Sequence, residues 1–204
     1  PPDRPWFQWV HMYDPHETKS RARYPEFVAH MDQGLGVLLA GLAERGLADE
    51  TIVVFVPDHG EGFGEHRQRS HASSLYDDQL RIPMLIKIPG FEGREFDVAV
   101  SLVDVPATIL AAAGAELAGA DGVNLLPLLR DGTYPADRPI FAELHRWRGE
   151  DGTRNRDMKA VILGHHKLIH DRMRGSLQLY DLSDDAAEMH NLLASDAGRA
   201  KELA

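Results

Sequence analysis

The sequence holds no cysteine among its 204 residues, which excludes disulfides, cysteine-based zinc sites and a cysteine nucleophile while leaving the redox compartment open. No run approaches the roughly 20 apolar residues that a membrane span requires, and Pro1 to Arg4 do not open a signal peptide. Cations are in the minority: 22 Lys and Arg face 32 Asp and Glu, for a net charge of −10. A surface of that sign repels nucleic acid, so a polyanion-binding groove has to be a local exception. There is no internal repeat and no low-complexity tract. What is present is a globular composition, 43% hydrophobic, in a chain long enough to bury a sizeable core. Eleven histidines in so acidic a chain direct attention to metal and acid–base sites, where spacing decides.

Trp6 to Met12 is rich in aromatic and branched residues between prolines and reads as a strand, after which Asp14-Pro15-His16 turns the chain. From Pro25 to Arg45, Phe27, Met31, Leu35, Leu38, Leu39 and Leu42 recur at helical spacing, with Gly46 placed to end the helix. Thr51 to Pro57 is apolar without alternation, the pattern of a strand covered on both faces. Strand, helix and buried strand in succession predict a β-α-β unit in a largely parallel sheet. Leu75 to Leu80 is a short helical stretch, Met84 to Ile88 another apolar strand, Val103 to Ala113 a helix closed by Gly114, and Leu125 to Leu129 a further short one. Beyond Gly132 the rhythm changes. Ile140 to Leu144, Lys159 to Leu163, Lys167 to His170 and Leu177 to Leu182 are short strands joined by glycine-containing turns, which predicts an antiparallel meander and a subdomain boundary near residue 130.

Asp58-His59 stands directly after the Thr51 to Pro57 strand, and ligands of open α/β sheets bind in the crevice beyond the strands' carboxyl ends. An adjacent carboxylate and imidazole can face one cation if the backbone turns sharply, and Gly60 and Gly62 permit the turn. An oxygen and a neutral imidazole suit a divalent metal without deciding which. Taken alone, the same pair could be a turn cap beside a solvated histidine, because two-residue matches are common by chance.

Longer stretches resolve that ambiguity. The run from Thr51 through Pro57-Asp58-His59-Gly60-Glu61-Gly62-Phe63-Gly64-Glu65-His66, then Ser70-His71 and Leu75 to Ile86, resembles a signature of the sulfatase family within the alkaline-phosphatase superfamily. Trp9 to His16 is similar to that family's strand ending in a Pro-His turn, and Ser101 to Ile109, Leu179 to Leu182, Glu188 and Asn191-Leu192 resemble its later landmarks in the same order.

The resemblance implies an alkaline-phosphatase-like three-layer α/β sandwich, in part, over residues 1–130, then a small antiparallel sheet with a terminal helix over 131–204. It implies that Asp58 and His59 hold one divalent metal ion, Ca2+ in sulfatases, that His71 protonates the departing alcohol, and that His16 helps to eliminate sulfate from the covalent intermediate. These roles are chemically coherent, since a metal and cationic donors stabilise charge on the transferred group while an acid assists the leaving group. His16 is preferred to His11 because a turn at a strand end is the better place for a reactive group. His66 reads as a polar loop residue, and His30, His165, His166, His170 and His190 read as solvated or structural.

The family's formylglycine arises from the first residue of a Cys/Ser-x-Pro-x-Arg motif, and no complete copy occurs. Pro2-Asp3-Arg4 mimics the last three positions but runs straight into the Trp6 segment, whereas the family's motif opens a helix far upstream of Asp-His. The family's early acidic metal ligands are also missing. The expectation is therefore the carboxyl-terminal portion of an enzyme acting on a sulfated small molecule or carbohydrate, inactive alone, with its formylglycine upstream. A phosphodiesterase or phosphonate monoester hydrolase using Mn2+ or Zn2+, or a non-catalytic binding module, are the alternatives.

Overall fold

The computed structural model describes residues 4–116, 118–135, 137–147 and 155–204, so Pro2 and Asp3 of the motif-like start lie outside them. The chain divides into two compact units, Pro1–Val54 with Ile86–Gly90 and Phe55–Leu85 with Phe91–Ala204.

In the first unit the helix α1 spans Tyr24–Glu44, with proline at its start and Gly46 at φ 67° past its end. That is where proline and glycine belong, because proline's fixed φ suits a first turn and glycine alone enters the left-handed region without strain. Phe27, Met31, Leu35 and Leu42 are half-buried, while Leu38 and Leu39 are exposed and no residue of α1 is buried. A short 3₁₀ turn over Asp14–Glu17 carries His16, and the Asp14 carboxylate meets the ring of His30 on α1. His30, 74% exposed as a solvated residue should be, is also partnered.

The strand expected over Trp6 to Met12 does not form. The backbone there joins no ladder, and Phe7 and Trp9 are exposed at 78% and 79%. Side-chain propensity makes a segment fit for a sheet, yet only a hydrogen-bonded neighbour makes it a strand. The β-α-β unit is accordingly incomplete among the described residues. The next strand, β1 (Val53–Phe55), pairs with β2 (Leu85–Lys87) in a two-stranded sheet, and all three residues of β1 are half-buried rather than covered on both faces.

The second unit contains α2 (Asp77–Leu80), α3 (Asp104–Ala112) and α4 (Leu126–Asp131), which ends at Gly132 in the left-handed conformation. It continues into a four-stranded antiparallel sheet in the order β3 (Ile140–Arg146), β4 (Arg156–Leu163), β5 (His166–Asp171) and β6 (Ser176–Asp181), followed by α5 (Ala197–Leu203). This is the meander that the short strands and glycine turns predict. One face of the sheet packs Met158, Ala160, Ile169 and Tyr180 against Leu75, with Ala142 and Leu144 alongside. The other packs Leu168 and Leu179 against Ala200 of α5. α5 is capped by Asp196, whose carboxylate accepts the Arg199 amide at 3.0 Å.

Two buried ionic clusters fasten this unit. Asp104, fully buried, accepts both arms of the Arg138 guanidinium at 2.7 and 2.8 Å and the amides of Ser101 and Val123 at 2.8 and 2.9 Å. Lys167, also fully buried, places Nζ 2.6 Å from Asp77 and 2.8 Å from Glu188. The second oxygen of Glu188 accepts the Asp77 amide at 2.6 Å. This cluster ties β5 to α2, and α2 holds the loop that carries the candidate site.

Candidate functional site

After β1 the chain turns through Asp58-His59-Gly60, and the Gly60 amide donates to the Gln79 carbonyl of α2 at 2.8 Å. The turn lies so close to α2 that a Cβ on Gly60 would stand 2.2 Å from the Asp78 carbonyl oxygen, so only glycine fits. Gln79, itself buried, donates to the hydroxyls of Ser73 and Ser74 at 3.2 and 2.7 Å and accepts the Ser73 amide at 3.3 Å. One short helix thereby sets both arms of the loop, the one bearing His59 and the one bearing His71.

The two rings meet with centroids 4.3 Å apart. His59 Nδ1 lies 2.7 Å from the Gly60 carbonyl, which can only accept, so Nδ1 carries a proton, and in the neutral ring Nε2 offers its lone pair. That lone pair is 3.8 Å from Asp58 Oδ2. The other Asp58 oxygen accepts the His59 amide at 3.0 Å, which orients the carboxylate. His71 Nδ1 donates to Glu61 Oε2 at 3.0 Å. Glu61 is 10% exposed, and its second oxygen is buried without a hydrogen-bond partner among the described residues.

Asp58, His59 and His71 therefore lie in the second unit, while His16 lies in the first, on its 3₁₀ turn with its ring 4.5 Å from that of Tyr13. Glu61 is the site residue that sequence reasoning overlooked. Its partner is ten positions away and reached only through the loop's turns, so spacing carried no signal. His66 is not a bare loop residue either, since its ring stacks on Tyr76 at 3.7 Å. A separate cavity of about 720 Å³, lined by His66, Arg67, Tyr76, Asp78, Arg81 and Met189 among others, includes none of Asp58, His59, His71 and His16. Both carboxylate oxygens of Asp78 are buried without a hydrogen-bond partner among the described residues, and burial holds its pKa above the ordinary aspartate value.

Among the described residues no three His, Cys, Asp or Glu side chains converge as a metal site, and no helix is long and apolar enough to cross a membrane. The donors do fit a divalent cation as far as they go. A carboxylate oxygen and an imidazole Nε2 stand 3.8 Å apart, a spacing at which both can ligate one ion when the ring is neutral.

Comparison with known proteins identifies the family and the fold. Residues 1–115 match the sulfatase family model, and residues 64–202 match the model described as N-sulphoglucosamine sulphohydrolase, C-terminal. The chain belongs to the sulfatase family. It is similar to arylsulfatase K of Danio rerio, 32% identical over 84% of this chain and 33% of that protein. It therefore spans about a third of the length of this curated relative. Among solved structures it resembles one in complex with its substrate D-glucosamine-2-N,6-O-disulfate, with a TM-score of 0.73, 28% identity and coverage of 88% of this chain and 38% of that one. It also resembles a phosphonate monoester hydrolase from Silicibacter pomeroyi, with a TM-score of 0.74, 26% identity and coverage of 90% and 38%. The fold is thus the alkaline-phosphatase-like α/β sandwich, in part, followed by a small antiparallel sheet with a terminal helix.

Proposed function

We propose that this chain is the metal-binding and acid-bearing part of an enzyme that hydrolyses sulfate esters of carbohydrates or small aryl compounds. The observation that carries the reading is the junction at the end of β1, where the Asp58–His59 donor pair stands against the Glu61-oriented ring of His71. That relatives include arylsulfatases and a structure holding a disulfated glucosamine supports a sulfated substrate.

In this reading Asp58 Oδ2 and His59 Nε2 would hold one divalent ion, Ca2+ in the sulfatase assignment, with further ligands outside this pair. When bound, the ion would supply Lewis-acid stabilisation of charge on the transferred group. The chain's own residues do the rest. The Gly60 carbonyl fixes the His59 tautomer, and Glu61 fixes the His71 ring so that Nε2 is the atom able to hand a proton to the departing oxygen. His16 would assist elimination of sulfate from a formylglycine supplied by another segment, a role that rests on resemblance. With no formylglycine motif of its own, the isolated chain is expected to be inactive.

The likeness to a phosphonate monoester hydrolase favours one second reading, phosphonate or phosphodiester hydrolysis with Mn2+ or Zn2+. The His59 nitrogen donor is compatible with these softer metals, whereas calcium takes oxygen ligands by preference. Turnover of sulfate and phosphonate esters by the full-length enzyme, stripped of metal and reloaded with each ion in turn, decides between them. Preference for the phosphonate under every ion would refute the sulfatase reading.

A further inference from the structure

We infer that Arg146 and Arg156 form a subsite for a second anionic group of the substrate, one chemically distinct from the ester being cleaved. The inference rests on the sulfate-ester reading and extends it to substrate class. The two arginines face each other across the antiparallel pair of β3 and β4, at the last rung of the ladder. Cross-strand partners have Cβ atoms about 5 Å apart, and like charges so placed destabilise a sheet. Both continue the stripe that packs the core farther along, Ala142 and Leu144 on β3 and Met158 and Ala160 on β4. Where that stripe leaves the core it carries two half-buried cations in place of apolar side chains.

Their location gives the arrangement a purpose. Arg156 Nε donates to the Ser73 carbonyl at 3.0 Å, and Arg146 Nη1 lies 3.5 Å from the Ala72 carbonyl. Ala72 and Ser73 are the two residues that follow His71. The two guanidiniums thus hold the backbone of the two residues that follow the proposed acid. Arg156 also donates to the Asn155 carbonyl at 3.4 Å, and it meets no carboxylate among the described residues. A guanidinium has five donors in a planar fork that matches carboxylate or sulfate oxygens, so these backbone contacts engage only part of Arg156. In a chain of net charge −10, two cations on one rung, bonded to the segment that follows His71, are the local exception that an anionic substrate needs.

The matching chemistry is a sugar that bears, besides the scissile sulfate, a carboxylate or a second sulfate. The test uses the full-length enzyme that includes this chain, with Arg146→Gln, Arg156→Gln and Arg156→Lys, on three substrates: p-nitrophenyl sulfate, a sulfated uronic acid and a disulfated glucosamine. Each Gln variant is expected to lower kcat/KM on a doubly anionic sugar by roughly ten- to a hundredfold, mostly through KM, the scale of a lost charged hydrogen bond. That loss should exceed the loss on p-nitrophenyl sulfate by at least tenfold, and Arg156→Lys, which keeps the charge but not the fork, should recover part of it. The sugar that suffers more identifies carboxylate or sulfate as the bound group, and either result supports the subsite. Equal losses on all three substrates, or losses confined to kcat, would reduce both arginines to clamps on residues 72 and 73 and overturn the inference alone. Failure of the unmodified enzyme to cleave any sulfate ester would overturn the underlying reading and this inference with it.

Discussion

Lys167 and Asp58 illustrate two ways in which an ionic side chain is held. Lys167 is completely buried, and its ammonium meets two carboxylates at 2.6 and 2.8 Å, one of which also accepts a backbone amide. Asp58 is 80% exposed and meets the amide of its own neighbour and, at 3.8 Å, an imidazole nitrogen with a lone pair. Burial of a charge is costly, so a buried ion survives only where every partner is in place. An exposed carboxylate beside an imidazole nitrogen carries no such demand and keeps oxygen lone pairs to spare. The first arrangement maintains the fold. In the function proposed above, the second receives a cation.

If this contrast is right, substitutions in the two clusters should fail in different assays. Asp58→Ala should abolish turnover in the full-length enzyme, a loss of about a thousandfold or more if the metal supplies several kcal/mol of transition-state stabilisation. Its thermal midpoint in the absence of metal should stay near that of the parent, because Asp58 supports no buried contact. Undiminished kinetics would sink the metal-site reading.

The converse belongs to Lys167→Met, which leaves Asp77 and Glu188 buried without their cation and should cost about 3–5 kcal/mol in denaturant unfolding. An unfolding midpoint within error of the parent would show that the cluster does not fasten α2 to the sheet.

His71→Ala sharpens the comparison within the loop itself. Its loss should reach roughly a hundredfold on an alkyl sulfate, the lower range for a positioned general acid, and be much smaller on an activated aryl sulfate, whose leaving group hardly needs a proton. Paired kcat measurements on the two esters check this, and equal losses would remove His71 from the acid role.

The smallest effect is expected at Asp78, a buried carboxylate with no hydrogen-bond partner among the described residues. Burial raises its pKa, so the folded protein binds the proton more tightly than the unfolded chain, and stability is lost as pH rises through the folded value. His66, Lys167 and the nearby Gln79 amide oppose the shift and Asp77 reinforces it. Asp78→Asn removes the charge, so it should stabilise by about 1 kcal/mol at pH 7, the low end for an unsatisfied buried group. The gain should fade as pH falls through the raised pKa, where the native residue is protonated. Thermal melts across that range would show it, and a gain independent of pH would exclude this cause.

Much of the fold could be read residue by residue. Gly46, Gly114 and Gly132 mark the ends of α1, α3 and α4, and each sits at positive φ just past its helix. Gly164 and Gly175, also at positive φ, separate the strands of the meander. These signals are local, because the left-handed conformation is a property of one residue. The Trp6 to Met12 segment was misread for the opposite reason, since a strand is defined by a partner that no local pattern reveals. The ionisable groups divide the same way. Asp58, His59 and His71 could be picked out from a motif, whereas Glu61, Lys167 and the facing arginines carried no sign of what they touch.

By itself, then, the sequence determined the helix ends, the turns of the meander and the residue types able to do acid and metal chemistry, because each depends on conformational preference or functional groups within a few positions. Only the tertiary structure decided that Glu61 orients His71, that Lys167 is neutralised by Asp77 and Glu188, and that Arg146 stands opposite Arg156. These pairings join residues as far as 90 positions apart, and they exist because burial leaves a charge with few partners and strand register chooses which.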